Sequence, residues 1–172
     1  MESRVKVLGH PLHQMLIVFP LGLLATAVVF DFIARISDYS TAAVVAHYLI
    51  SAGLISGVVT AIPGFIDWLA IPKGTRAYRV GLLHGLGNVV VLLLYFGSWV
   101  MRRGAVEAPE TMATVLSTAG ALVALVTGWL GGELVDRLGV GVDPGAHLDA
   151  PSSLTHDKVP AGHYSASGMA HE

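Results

Sequence analysis

Four long apolar runs separated by short polar connections set the rhythm of this chain. The first covers roughly residues 12–36, with Pro20 predicting a kink that neighbouring helices tolerate. The second covers 42–62; Pro63-Gly64 then predicts a bend, with 65–71 continuing towards the interface. The third and fourth run over 78–101 and 111–135. Each reaches the ~20 apolar residues that a membrane-spanning helix needs. The connections at 37–41, 72–77 and 102–110 are short, which makes successive helices antiparallel neighbours. The expected fold is an all-α integral membrane protein, an antiparallel up-down four-helix transmembrane bundle. From Gly139 onward Gly, Pro, Ser, Asp and His replace large apolar residues. This divides the chain into a transmembrane domain, 1–138, and a flexible His-containing polar tail, 139–172, expected to be largely disordered.

Composition strengthens the membrane assignment. Of 172 residues, 53% are hydrophobic and 13% charged, with a mean hydropathy of +0.66, against about 25% charged residues in soluble domains. The formal net charge of -2, with no basic stripe interleaved with aromatics, gives no support for nucleic-acid binding. Cysteine is absent. That excludes thiolate zinc sites, iron–sulfur clusters held by this chain and covalent haem attachment, leaving histidine and carboxylate as the strong ligands. The first run has no small-residue cleavage site after it and reads as a retained helix. Arg4, Lys6, Lys73, Arg76, Arg79 and Arg137 flank one side of the spans, and Arg35, Arg102 and Arg103 the other. That bias places both termini in the cytoplasm.

Antiparallel spans gather His10, His13, Asp67, His84, Asn88, Glu133 and Asp136 at one end of the bundle. Only Asp31, Arg35 and His47 fall in the other half. Pro11 suits a first helical position, which puts His13 in the opening turn. His84 and Asn88, four apart, share a face of the third helix. The first and third helices are diagonal in a simple bundle, so His13 and His84 are expected to face each other across the core. Such a gap suits the iron of haem b, with the two histidines as axial ligands. Gly81, Gly85 and the series Gly120, Ala124, Gly128, Gly132 admit a close backbone or a flat ring, and Trp129 is deep enough to line the cavity.

Plainer readings stand beside these. The small-residue series, with Gly53 and Gly57, also describes ordinary helix packing in lipid. Asp31 and Arg35 are spaced for a local ion pair, His47 reads as a hydrogen-bonded structural histidine, and Trp68, Trp99 and Trp129 fit interfacial anchors. Asp67 and Glu133 either orient ligand imidazoles or join His10, His13 and His84 in a first shell for zinc, iron or manganese. The spacing of His10 and His13 is not the zinc-protease pattern. His147, His156, His163 and His171 in the tail bear on weak metal capture at most.

His10-Pro11-Leu12-His13 with Phe19-Pro20-Leu21-Gly22-Leu23, Asp67-Trp68 with Gly74-Thr75, Leu83-His84 with Asn88, and Gly131-Gly132-Glu133-Leu134-Val135 with Gly139-Val140-Gly141-Val142 together resemble a bacterial membrane-protein family, domain of unknown function 2231. The resemblance covers nearly all four helices. Relatives are fused to Rieske-type or cytochrome c-type domains, which implies electron transfer, a b-type haem and a bacterial inner-membrane location. His13 and His84 match its most typical histidine positions. The chain departs from the pattern at Gln14, usually proline, at Val18, often a second histidine, and at Asp136 and Leu138, often tyrosine and histidine. Those losses argue against a second cofactor.

The resulting expectation is a membrane-embedded histidine-ligated protein, foremost a small b-type cytochrome relaying electrons. His13 and His84 would hold the haem iron, with Asn88 and Trp129 beside the cofactor. The redox partner would carry an iron–sulfur or c-type haem centre, and a homo-oligomer is compatible. The alternatives are a metal-binding or metal-transport protein using His10, His13, Asp67, His84 and Glu133, and a cofactor-free structural subunit.

Overall fold

The computed structural model describes residues 1–37 and 39–155. His156, His163 and His171 of the tail lie outside these residues.

The chain enters through a two-residue hairpin, β1 (Lys6–Val7) against β2 (His10–Pro11), with Val7 opposite His10. Leu8 and Gly9 both take positive φ, 51° and 83°, the conformation of a type I′ turn that suits the right-handed strand twist. Pro11 then caps α1 (Leu12–Leu16) instead of occupying its first turn as expected. After a break at Ile17 the first span continues as α2 (Val18–Ser37). Pro20 explains the break, since it has no N–H for the carbonyl one turn back and its ring crowds that carbonyl.

The other spans are α3 (Ser40–Leu69), α4 (Arg76–Arg102) and α5 (Thr111–Gly132). Helix α3 runs unbroken through Pro63, where the sequence predicts a bend after residue 62. Thr75 starts α4 by accepting a hydrogen bond from the Tyr78 N–H at 3.1 Å. A π-helical turn (Glu133–Arg137) extends α5. Gly139, at φ 63°, closes it with a bond from Val140 N–H to the Leu134 carbonyl, a left-handed helix cap.

All four helices are long and apolar enough to cross a membrane, and only 17–28% of their most apolar windows is buried inside the protein. Large apolar side chains such as Val18, Ile55, Leu93 and Leu125 point outward. In water that surface would aggregate; in lipid it is solvated. Helix α2 packs along α3 and α4 along α5, and the two hairpins meet through α3–α4 and α2–α5. The bundle is therefore up-down-up-down, with α2 and α4 on one diagonal.

Each helix turns one seam inward at alternating steps of three and four residues. On α4 the seam is His84, Asn88, Val91, Tyr95, Ser98 and Arg102; on α2 it includes Pro20, Leu24, Ala27 and Asp31. The seams of α3 and α5 are mostly small residues, including Ala46, Gly53, Gly57 and Thr60, and Ala113, Ser117, Gly120 and Thr127. Without a hydrophobic effect between helices in lipid, close backbone approach drives this packing. Leu24, Ala27, Ile50, Val91 and Tyr95 form the central apolar cluster. Tyr95 crosses the diagonal and donates its hydroxyl to the Leu24 carbonyl at 3.0 Å. Tyr95→Phe is expected to cost about 1 kcal/mol, read as a lower melting temperature in detergent with the helical signal unchanged.

The tail does not leave the bundle at Gly139. The Met1 amino group donates to the Gly139 carbonyl and the Gly141 N–H to the Met1 carbonyl, both at 2.8 Å. Ser153 donates to the Leu8 carbonyl at 3.0 Å. Residues 139–155 thus fold back over the N-terminal hairpin, above the end of the bundle that holds His13.

Candidate functional site

His13, in the first turn of α1, and His84, two turns into α4, project into the bundle from diagonal helices. Their ring centroids lie 6.4 Å apart, with the ring planes at 88°. Both are half-buried. His13 Nδ1 lies 2.9 Å from the Thr60 carbonyl of α3, and His84 Nδ1 lies 2.8 Å from the Thr127 carbonyl of α5. A carbonyl oxygen can only accept, so each Nδ1 carries the proton and each Nε2 presents a lone pair.

The rings also rest on glycine. A Cβ on Gly64 would sit 2.6 Å from His13 Nδ1, and one on Gly131 would sit 3.1 Å from His84 Cε1. Any side chain at Gly64 would displace the His13 ring from Thr60. Asn88, one turn beyond His84, donates its amide to the His84 carbonyl at 2.9 Å and to His84 Nε2 at 3.2 Å. Its own carbonyl accepts from the Thr127 hydroxyl at 3.2 Å. Among the described residues His13 Nε2 has no hydrogen-bond partner.

The remaining candidates do not converge here. Asp67 holds the N-terminal segment, accepting from the Ser3 hydroxyl at 2.7 Å and the Arg4 N–H at 2.6 Å. Glu133 pairs with Arg76 at 2.5 Å. His10 is exposed on the hairpin, its Nδ1 3.2 Å from the Leu8 carbonyl. The five-ligand shell of His10, His13, Asp67, His84 and Glu133 is therefore not assembled: each carboxylate has a cation or N–H donor of its own. Among the described residues no group of three or more His, Asp or Glu side chains is placed to hold a metal ion. Trp129 is 65% exposed on the outer surface and is not a cavity wall. In the expected glycine series, Gly81 and Gly120 are occupied by Trp68 and Tyr95, whereas Gly85, Gly128 and Gly132 face outward with nothing near them.

Two further expectations are corrected in the other half of the bundle. Asp31 does not pair with Arg35, which donates instead to the Pro109 carbonyl at 2.8 Å. Asp31 takes a two-pronged ion pair from Arg102 at 2.5 and 2.6 Å, with both side chains at most 1% exposed. His47 is not hydrogen-bonded through Nδ1 to any described residue; its ring stacks on Trp99 at 6.0 Å and 13°. Arg103 covers the same indole, 5.0 Å from its centroid. The signal that reveals Arg102 is the seam itself: Ser98 and Tyr95, on the same face, make the last turns of α4 polar inward.

Comparison with known proteins yields no match among curated proteins and none among solved structures. A family described as a predicted membrane protein, domain of unknown function 2231, matches residues 9–144, which include all four spans, His13, His84 and the Gly139–Val142 segment. The chain is a multi-pass membrane protein belonging to this family.

Proposed function

We propose that the protein binds one haem b between His13 and His84 and relays electrons in the membrane. The supporting observation is the imidazole pair itself. His13 and His84 would hold the group from opposite helices, each through Nε2, the ring nitrogen left with a lone pair. The pair here stands at 6.4 Å. Histidine ligands generally donate their other ring N–H to a carbonyl or carboxylate, which fixes the tautomer and raises basicity. Both rings do this through Nδ1, to Thr60 and Thr127. The donor set therefore fits the group.

Haem would supply one-electron iron chemistry. The chain's own residues do the positioning. The Thr60 and Thr127 carbonyls accept the Nδ1–H bonds, so neither ring can rotate without leaving its own N–H unmet. Asn88 donates to the His84 lone pair and holds that ring in register; when Nε2 is engaged elsewhere, its bonds to the His84 carbonyl and Thr127 remain. Asp67 and Glu133, through Ser3, Arg4 and Arg76, tie the N-terminal segment and the start of α4 over this end and restrict water. With its carboxylates so engaged, the donor set favours haem over a bare zinc, iron or manganese ion.

The proposed setting is a bacterial inner membrane with both termini cytoplasmic. Burial of Arg102 removes one of the three cations counted on the opposite side, so the positive-inside bias is steeper than the sequence count. The redox partner would be a protein carrying an iron–sulfur or c-type haem centre.

The test is an absorption spectrum of full-length protein purified from haem-replete membranes. A Soret band that sharpens and shifts on reduction is expected, at one haem per chain, and His47→Ala leaves it in place. Stoichiometric zinc or manganese without that band overturns the proposal, as does protein with neither haem nor metal that also fails to take up added hemin.

A further inference from the structure

The seams of α2 and α4 match position by position. Leu24 and Tyr95, which bond to each other, are 71 residues apart, and so are Asp31 and Arg102. The same spacing relates His13 to His84, Pro20 to Val91, and Ala27 to Ser98. On the partner helices one constant offset carries Gly53, Thr60 and Gly64 of α3 onto Gly120, Thr127 and Gly131 of α5. The contacts repeat as well. The Leu24 side chain occupies the space beside Gly53, and Tyr95 the space beside Gly120. His13 bonds the Thr60 carbonyl and lies on Gly64; His84 bonds the Thr127 carbonyl and lies on Gly131.

We infer that the protein is a tandem repeat of one helical hairpin about a pseudo-twofold axis, and that its imidazole site is two equivalent half-sites meeting on that axis. Each half-site has three parts: a histidine near the start of the first helix, a threonine carbonyl on the second helix that accepts a hydrogen bond from its Nδ1–H, and a glycine one turn further on against which the ring lies. Thr60, Gly64, Thr127 and Gly131 are positioning residues, acting through the imidazoles. The geometry assigns the site a ligand gripped alike from both faces, one metal centre with an imidazole from each hairpin. That assignment rests on the haem reading above; the equivalence of the half-sites does not.

Two departures from the repeat fit this arrangement. Asn88 of α4 corresponds to Ile17, the residue at the break between α1 and α2. Only the second half-site therefore has an amide on its Nε2, which makes His13 the ring open to a ligand in the free protein. At the far end of the axis equivalence gives way to complementarity, with Asp31 on one hairpin and Arg102 on the other. An acid and a base on matched positions attract across the axis, where two identical charges would repel.

The experiment uses the full-length protein in detergent, with hemin as probe and Gly64→Ala, Gly131→Ala, Gly53→Ala and Gly120→Ala as variants. Gly64→Ala and Gly131→Ala are each expected to weaken hemin binding about 10–100-fold, the usual effect of disturbing a ligand's supporting contacts, and to shift the Soret band in the same direction. Gly53→Ala and Gly120→Ala lower the melting temperature and leave the hemin affinity of the folded fraction unchanged. A large loss from one of Gly64→Ala and Gly131→Ala with none from the other overturns the equivalence. Imidazole nitrogen NMR of the hemin-free wild-type protein gives a second readout that needs no variant to fold. Both rings are expected as the Nδ1–H form; an Nε2–H form at either ring overturns the half-sites. If wild-type protein binds no hemin, the haem reading fails, and the NMR result alone upholds or overturns the paired half-sites.

Discussion

If the protein binds haem as proposed, His13→Ala and His84→Ala are each expected to abolish the reduced-minus-oxidised haem spectrum of the purified protein, and His47→Ala to preserve it. The asymmetry follows from what each ring meets. The ring centroids of His13 and His84 lie 6.4 Å apart with their Nδ1 protons committed to carbonyls of neighbouring helices, so among the described residues each is the sole imidazole from its side. His47 lies on α3 stacked on Trp99 and, among the described residues, has no second imidazole opposite. Loss of either imidazole would weaken or empty the proposed haem site, which the Soret band would report. Either alanine also removes a hydrogen bond between helices, at a cost of about 0.5–1.5 kcal/mol, so the spectrum must be read beside a test of the fold. The smaller variant His13→Gly separates the two. Added free imidazole is expected to fill the vacated space and restore the wild-type spectrum if His13 is a ligand, and to do nothing if its role is only structural. A His84→Ala protein that keeps the wild-type spectrum refutes the role of His84 as a ligand.

The sequence carries the spans, the diagonal and the imidazole pair because each follows from something periodic or compositional. Twenty apolar residues mean a span, short connections mean antiparallel neighbours, and antiparallel neighbours bring the start of the first helix level with the start of the third. The carboxylates were not legible in the same way. Asp67 and Glu133 fall at the correct end, but which donor a carboxylate takes depends on loops; Ser3, Arg4 and Arg76 reach them first. Trp129 illustrates rotation about the helix axis, which depth along the sequence does not report: it sits at a useful level but turns outward. Arg102 fails for the same reason in reverse. A basic residue at the end of an apolar run usually marks the water boundary, and only its phase with Ser98 and Tyr95 reveals that it points inward. The unbroken helix through Pro63 is a case of tertiary context overriding a local breaker, since neighbouring helices hold α3 on both sides of the proline.

Arg102→Ala or Asp31→Ala is expected to destabilise the folded bundle by about 3–5 kcal/mol, because each leaves its partner charged and unpaired in a dry interior. The pair is buried in full, at 0% and 1% exposure, and its hydrogen bonding is nearly complete. Asp31 accepts from both guanidinium Nη atoms and from the Ser117 hydroxyl at 2.6 Å. Arg102 Nε reaches the Ser98 hydroxyl at 3.2 Å, and that hydroxyl donates to the Ala113 carbonyl at 2.6 Å. The network joins α2, α4 and α5, so one deletion loosens three helices. Removing both charges together is a different matter. A buried ion pair replaced by apolar residues of similar volume is often neutral or stabilising, so Asp31→Leu/Arg102→Met is expected to melt near the wild type or above it. Exchanging the charges, Asp31→Arg/Arg102→Asp, is expected to recover part of the loss, since the two positions are matched across the pseudo-twofold axis. The readout is thermal unfolding in detergent followed by helical circular dichroism, with hemin uptake measured on the same samples. The imidazole pair lies about 27 Å along the helices from the ion pair, at 1.5 Å per residue. The double apolar variant should therefore bind hemin normally, while the single variants lose it in proportion to unfolding. Single variants that melt within about 0.5 kcal/mol of wild type would show that the pair is not what fastens this end of the bundle.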